Sequence, residues 1–162
     1  MNNKILVIGT LFTIAFTAFL FWPTDQQANT VASVQTGDVV EVVMYKNPNC
    51  GCCTKWAGHM NNNNFKVDER PTEELNKIKM ENGISSELAS CHTAFVGGYI
   101  VEGHVPAKDV QRLLDEKPEA IGITVPGMPA GSPGMEMEGR AAAKYDVLLI
   151  AKDGTTTVWA SH

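Results

Sequence analysis

Hydrophobic and polar positions divide the chain into one long apolar run and a series of short ones. The long run, Ile5 to Trp22 (ILVIGTLFTIAFTAFLFW), follows MNNK and carries no charge. At about 1.5 Å per residue, a helix of that length crosses the hydrocarbon of a bilayer. Lys4 precedes the run and Asp25 is the first charge after it. The positive-inside tendency therefore keeps the amino terminus cytoplasmic and sends the rest across. The run exceeds the usual apolar core of a signal peptide, and only TVAS, Thr30 to Ser33, resembles a cleavage site. Residues 1–24 thus read as an uncleaved anchor in preference to a removed export signal. Residues 25–38 are small and polar and read as a flexible linker. The folded domain is expected over residues 39–162.

Within that domain the short runs alternate in type. VVEVVMYK, Val39 to Lys46, is rich in β-branched residues and predicts a buried strand. The cysteine-rich NPNCGCCTKW follows, and a helix is expected over Thr54 to Met60, stopped by Asn61 to Asn64. Phe65 to Glu69 alternates as a second strand. Pro71 to Gly83 has a proline start, early acidic residues and a glycine stop, which predict a helix. Thr93 to Val105 reads as a hairpin turning at Gly97-Gly98. Pro106 to Pro118 predicts a helix with an apolar stripe of Val110, Leu113 and Leu114. Ala120 to Gly139, rich in proline and glycine, is expected as a long loop. YDVLLIAKDGTTTVWAS, Tyr145 to Ser161, predicts a last hairpin around Asp153-Gly154. Alternating strands and helices indicate an α/β domain whose hairpins add antiparallel strands, hence a mixed sheet. A strand running into cysteines at a helix start is the organisation of thioredoxin-like folds. There the free N–H groups of the first helical turn favour thiolate over thiol. The fold class expected is therefore α/β, thioredoxin-like with a mixed sheet, preceded by an N-terminal hydrophobic helix.

Composition adds little beyond exclusion. The 162 residues are 44% hydrophobic with a formal charge of −5, and no basic block appears, which argues against nucleic acid as a partner. An exported domain can keep disulfides, so the four cysteines, Cys50, Cys52, Cys53 and Cys91, could be two structural bridges. Cys52 and Cys53 are adjacent, however, and vicinal bridges demand strained geometry. Cys50 and Cys53 form a C-x-x-C of the redox kind, and a thiol-disulfide oxidoreductase needs only those two. Cys91 precedes a predicted strand whose start passes the cysteine turn in a thioredoxin-like fold, so all four sulfurs could converge. Metal binding would employ all four. Zinc prefers looser C-x₂₋₄-C loops, and neither ferredoxin spacing is present. Close soft thiolates suit Cu(I), so copper fits best, although spacing alone leaves copper and zinc unresolved. Met128, Met135 and Met137 lie in the glycine- and proline-rich loop. Met135 is the preferred thioether for a ligand or metal-access role. His92, beside Cys91, could ligate or tune the site. His104 reads as structural, Trp56 as packing over the cysteine turn, and His59 and His162 carry no clear assignment.

CGCCTKW, SCHTA, GYIVEGHVPAKDV and GITVPGMPAGSPGME occur here in an order that resembles the CopG-type copper-resistance proteins. These are bacterial periplasmic, thioredoxin-like proteins described as metal-binding. The resemblance covers about Val39 to the carboxyl terminus. It implies that Cys50, Cys52, Cys53 and Cys91 form a cysteine-bridged Cu(I) site able to hold more than one copper, with a redox role in copper handling. It also implies copper ions and other periplasmic copper-handling proteins as partners. The location expected is the periplasm, tethered to the inner membrane by residues 5–22 or released after cleavage.

Overall fold

The computed structural model describes residues 39–162, so the expected anchor and linker lie outside the described residues. Among the described residues no helix is long and apolar enough to cross a membrane.

Seven strands form one sheet in the order β2-β1-β3-β4-β5-β6-β7, with three helices. The strands are β1 (Val40–Lys46), β2 (Phe65–Pro71), β3 (His92–Val96), β4 (Tyr99–Glu102), β5 (Ala120–Thr124), β6 (Asp146–Ala151) and β7 (Thr156–Ser161). The helices are α1 (Gly51–Asn61), α2 (Leu75–Glu81) and α3 (Ala107–Glu116). The pairs β1–β2 and β4–β5 are parallel and all others antiparallel, so the sheet is mixed. Each parallel pair is joined by a helix, as parallel crossovers require, and each antiparallel pair from β3 to β4 and β6 to β7 by a tight turn.

Period-two alternation sorts the apolar residues onto two faces. Val42, Met44, Ala94, Val96, Val101, Ile123 and Val147 pack with Cys53, Trp56, Ala57 and Met60 of α1 and Val110 and Leu113 of α3. Their neighbours Ile100 and Ile150 turn the other way, onto a smaller cluster with Ile84 and Leu88. The larger core buries one face of α1, and the cysteine turn opens that helix.

Three expectations need correction. The first helix begins at Gly51, not Thr54, which places Cys52 and Cys53 inside its first turn. Pro71 closes β2 instead of opening a helix, lying opposite Lys46 on the sheet edge, where a strand tolerates a residue without an N–H. A Thr72 hydroxyl then accepts the Glu74 amide at 3.0 Å, and α2 starts only at Leu75. Ala120–Thr124, expected as loop, is strand β5 beside β4. Gly122 sits where a Cβ would run into the backbone of Ile100, so the residue that disguised the strand is the one its close approach requires.

Candidate metal and redox centre

The site begins where β1 ends. Asn47 accepts the Asn49 amide through its side chain at 3.1 Å and the Cys50 amide through its carbonyl at 3.0 Å, turning the chain into α1. Cys50 is the N-cap, and its sulfur accepts the Cys53 amide at 3.3 Å, where an oxygen cap usually sits. Lys46 is almost buried and fixes this turn from below. Its ammonium donates to Thr54 Oγ1 at 2.6 Å and to the Cys50 carbonyl at 3.5 Å, and pairs with Glu69 at 2.9 Å.

Cys50 and Cys53 are joined as a disulfide, and Cys52 and Cys91 are free. Cys52 Sγ is 3.4 Å from Cys50 Sγ and 3.8 Å from Cys91 Sγ. Cys91 Sγ is 3.6 Å from Cys53 Sγ. All four sulfurs lie within 4.8 Å of one another. The expected convergence across 38 and 39 residues of sequence is therefore present.

Imidazoles complete the other side of Cys91. Its sulfur is 2.8 Å from His104 Nε2 and 3.5 Å from His92 Nδ1, and these three groups form a second set of closely spaced donors. His104 Nδ1 is 2.8 Å from the Pro133 carbonyl, which can only accept, so Nδ1 carries the proton and Nε2 offers a lone pair to Cys91. Burial, reinforced by neighbouring Cys52, pushes the Cys91 thiol up to about 12. Burial likewise holds His104 below its ordinary value. A neutral thiol donating to a neutral imidazole is the consistent pairing. His92 is fully buried, tilted on Trp56 at 4.4 Å between ring centroids, and burial followed by His104 holds it well below the ordinary histidine value. Its Nε2 has no hydrogen-bond partner among the described residues.

His104, expected from the sequence to be structural, lies against the Cys91 sulfur. The signal was available in the hairpin. Gly97 and Gly98 have φ of 55° and 86°, as a two-residue turn of the primed type needs. Residues equally distant from that turn face each other, Thr93 opposite Glu102 in the ladder. Two steps further out, the same symmetry puts Cys91 opposite His104.

Trp56 is fully buried against His92, and its Nε1 donates to the Val105 carbonyl at 2.8 Å. His59 Nε2 accepts the Ala107 amide at 3.0 Å, linking α1 to the start of α3. His162 pairs with Asp109 at 2.8 Å and stacks on Tyr145, away from the sulfurs in sequence and in partners. The methionine loop reaches the site through Gly134. A Cβ there would lie 2.7 Å from the Cys52 carbonyl and 2.8 Å from the Trp56 amide, so only glycine rests this closely on the first turn of α1. Met135 follows directly and is half-buried; its amide donates to the Ser132 carbonyl at 2.7 Å. Met128 and Met137 are exposed.

Thiols and imidazoles clustered at a strand-to-helix turn of a mixed α/β domain make the donor set of a potential soft-metal site. A family model described as "Protein of unknown function, DUF411" matches residues 88–135, which span Cys91, His92, His104 and Gly134. No curated protein matches the chain. Two solved structures do. "Copper resistance protein copG- Form 2" is 37% identical, with a TM-score of 0.73, over 77% of this chain and 99% of that one. "Copper resistance protein copG- Form 1" is 38% identical, with a TM-score of 0.72, over 77% and 98%. The chain belongs to the CopG-type copper-resistance family.

Proposed function

We propose that this chain handles copper outside the cytoplasm, binding Cu(I) through Cys50, Cys52, Cys53 and Cys91 when the Cys50–Cys53 disulfide is reduced. The observation that carries the reading is the convergence of four sulfurs within 4.8 Å, one of them brought from a distant hairpin. Such spacing lets thiolates bridge neighbouring soft ions, and suits copper better than zinc's looser tetrahedral loops. Membership of a family whose solved members are named copper resistance proteins supports the choice of metal. His104 and His92 border the same sulfur, and Met135 adjoins Gly134 on the turn, so each is a secondary ligand in this reading.

The order of the first four strands, with α1 opening at the cysteines, supports a thioredoxin-like core. That core makes the disulfide part of the function. Closing Cys50–Cys53 by exchange with a partner disulfide passes two electrons, and the protons of any thiol not already ionised, to that partner and removes two thiolates from the ligand set; a dithiol donor reverses the exchange. Copper binding also displaces the proton that Cys91 holds. The apolar run at residues 5–22 supports a periplasmic location tethered to the inner membrane, with other copper-handling proteins of that compartment as exchange partners.

Metal analysis of the anaerobically reduced chain is the test. At least one Cu(I) per chain is expected, falling sharply in the double variant Cys52→Ser, Cys91→Ser. Unchanged copper in that variant contradicts the reading. A second reading, a thiol-disulfide oxidoreductase acting through Cys50 and Cys53, is favoured by the disulfide itself at a helix N-terminus. It predicts insulin reduction that survives loss of Cys52 and Cys91.

A further inference from the structure

The disulfide and the free thiols stand in an arrangement that neither reading uses. Cys91 Sγ lies 3.6 Å from Cys53 Sγ, one half of the disulfide, and 2.8 Å from the unprotonated nitrogen of His104. On the far side of the bond, Cys50 Sγ receives the Cys53 amide at 3.3 Å at the N-terminus of α1. A nucleophile with an adjacent base oriented by a third group, and a leaving group met by an N–H donor, are the parts of a displacement.

We propose that Cys91 is an internal nucleophile that opens the Cys50–Cys53 disulfide, with His104 as its proton acceptor, so that the bridge moves to Cys53–Cys91. The sulfur electron pair forms the new bond to Cys53 as the Cys91 proton passes to His104 Nε2 in the same step, so no free Cys91 thiolate forms beforehand. The Cys50–Cys53 bond breaks, and its electron pair leaves on Cys50 as thiolate. One S–S bond is lost and one formed, so no external oxidant or reductant enters. The leaving thiolate is stabilised by the Cys53 amide and the helix dipole. The Pro133 carbonyl keeps His104 in the tautomer that can accept the proton.

The consequence is a change in which sulfur is available. Cys53 is fully buried, whereas Cys50 is half-buried at the mouth of the turn. Moving the bridge inward to Cys53–Cys91 frees Cys50, the sulfur best placed to meet an incoming soft metal or a partner disulfide. Cys52, 3.8 Å from Cys91, is the competing end of such a bridge.

Disulfide mapping tests this without any metal, so a failure here and a failure of copper binding are separate results. Trypsin leaves Cys50, Cys52 and Cys53 on one peptide, Asn47 to Lys55, and Cys91 on another, Met80 to Lys108. Full-length oxidised chain in detergent is held without reductant, quenched in acid, digested and analysed by mass spectrometry. A cross-link between the two peptides is expected in the wild type. It should persist in Cys52→Ala, where free Cys50 identifies the bridge as Cys53–Cys91. In His104→Gln, which retains a group able to donate to the Pro133 carbonyl, the cross-link should form at least about tenfold more slowly. Only intrapeptide Cys50–Cys53 in both wild type and Cys52→Ala would overturn the proposal. An unslowed His104→Gln would overturn the part assigned to the histidine.

Discussion

Two buried polar clusters lie close together along the β3–β4 hairpin, and they are built on opposite terms. In the first, Glu102 is fully buried yet has every demand met. Lys79 Nζ pairs with Oε1, the Ser90 amide donates to Oε1 at 2.6 Å, and Thr93 Oγ1 donates to Oε2 at 2.7 Å. Lys79 also donates to Thr93 Oγ1 at 2.9 Å. In the second, two residues further along the same hairpin, Cys91, His92 and His104 are as closely packed but incompletely partnered, and His92 Nε2 has no partner among the described residues. A complete network braces; an incomplete one leaves donor atoms for chemistry. The first cluster grips the Ser90 amide, so the brace is bonded directly to the residue before Cys91.

The contrast can be broken by substitution. Glu102→Ala leaves Lys79 buried without its counter-charge, and should cost about 3–5 kcal/mol in urea unfolding. A loss below about 1 kcal/mol would show that the pair is not the brace. Thr93→Val removes one hydroxyl from the same network and should cost about 1–3 kcal/mol. His92→Phe keeps an aromatic ring against Trp56 and removes both nitrogens, Nε2 without a partner and Nδ1 in only a long 3.5 Å contact with the Cys91 sulfur, so stability should shift by less than about 1 kcal/mol in either direction. A loss as large as that of Glu102→Ala would erase the difference between the clusters.

The smallest effect concerns His59, which touches neither cluster. Burial holds its pKa below the ordinary value, against a weaker upward pull from Glu136. Only neutral His59 can accept the Ala107 amide, and the unfolded chain binds its proton more readily than the folded one. Its contribution is therefore present above about pH 6.5 and is lost as the pH falls from there towards the folded pKa. His92 and His104 act with the same sign. Urea titrations should show stability falling on acidification, with a shallower slope in His59→Gln. An equal slope would mean that His59 stays neutral or is free in both states.

Much of this is legible in the sequence. Three cysteines at a strand-to-helix boundary announce themselves, because β-branched residues end abruptly at Asn47-Pro48. The partner hairpin was legible from Gly97-Gly98. What failed had local causes. Strand β5 is short, broken by Gly122 and set among prolines, and its pairing with β4 comes from a contact distant in sequence. Pro71 fits a helix start as well as a strand end, and only its position opposite Lys46 on the edge decides between them. His104 lies beyond the last ladder pair, so its approach to Cys91 follows from hairpin symmetry and not from any motif.

In the function proposed above, one sulfur cluster alternates between a ligand set and a disulfide. The direct measurement is copper bound per chain by the same preparation before and after oxidation of Cys50 and Cys53, with the disulfide confirmed by mass spectrometry. At least one Cu(I) is expected per reduced chain, with most of it lost when the bridge closes. Equal copper in the two states, or none in the reduced chain, would contradict it.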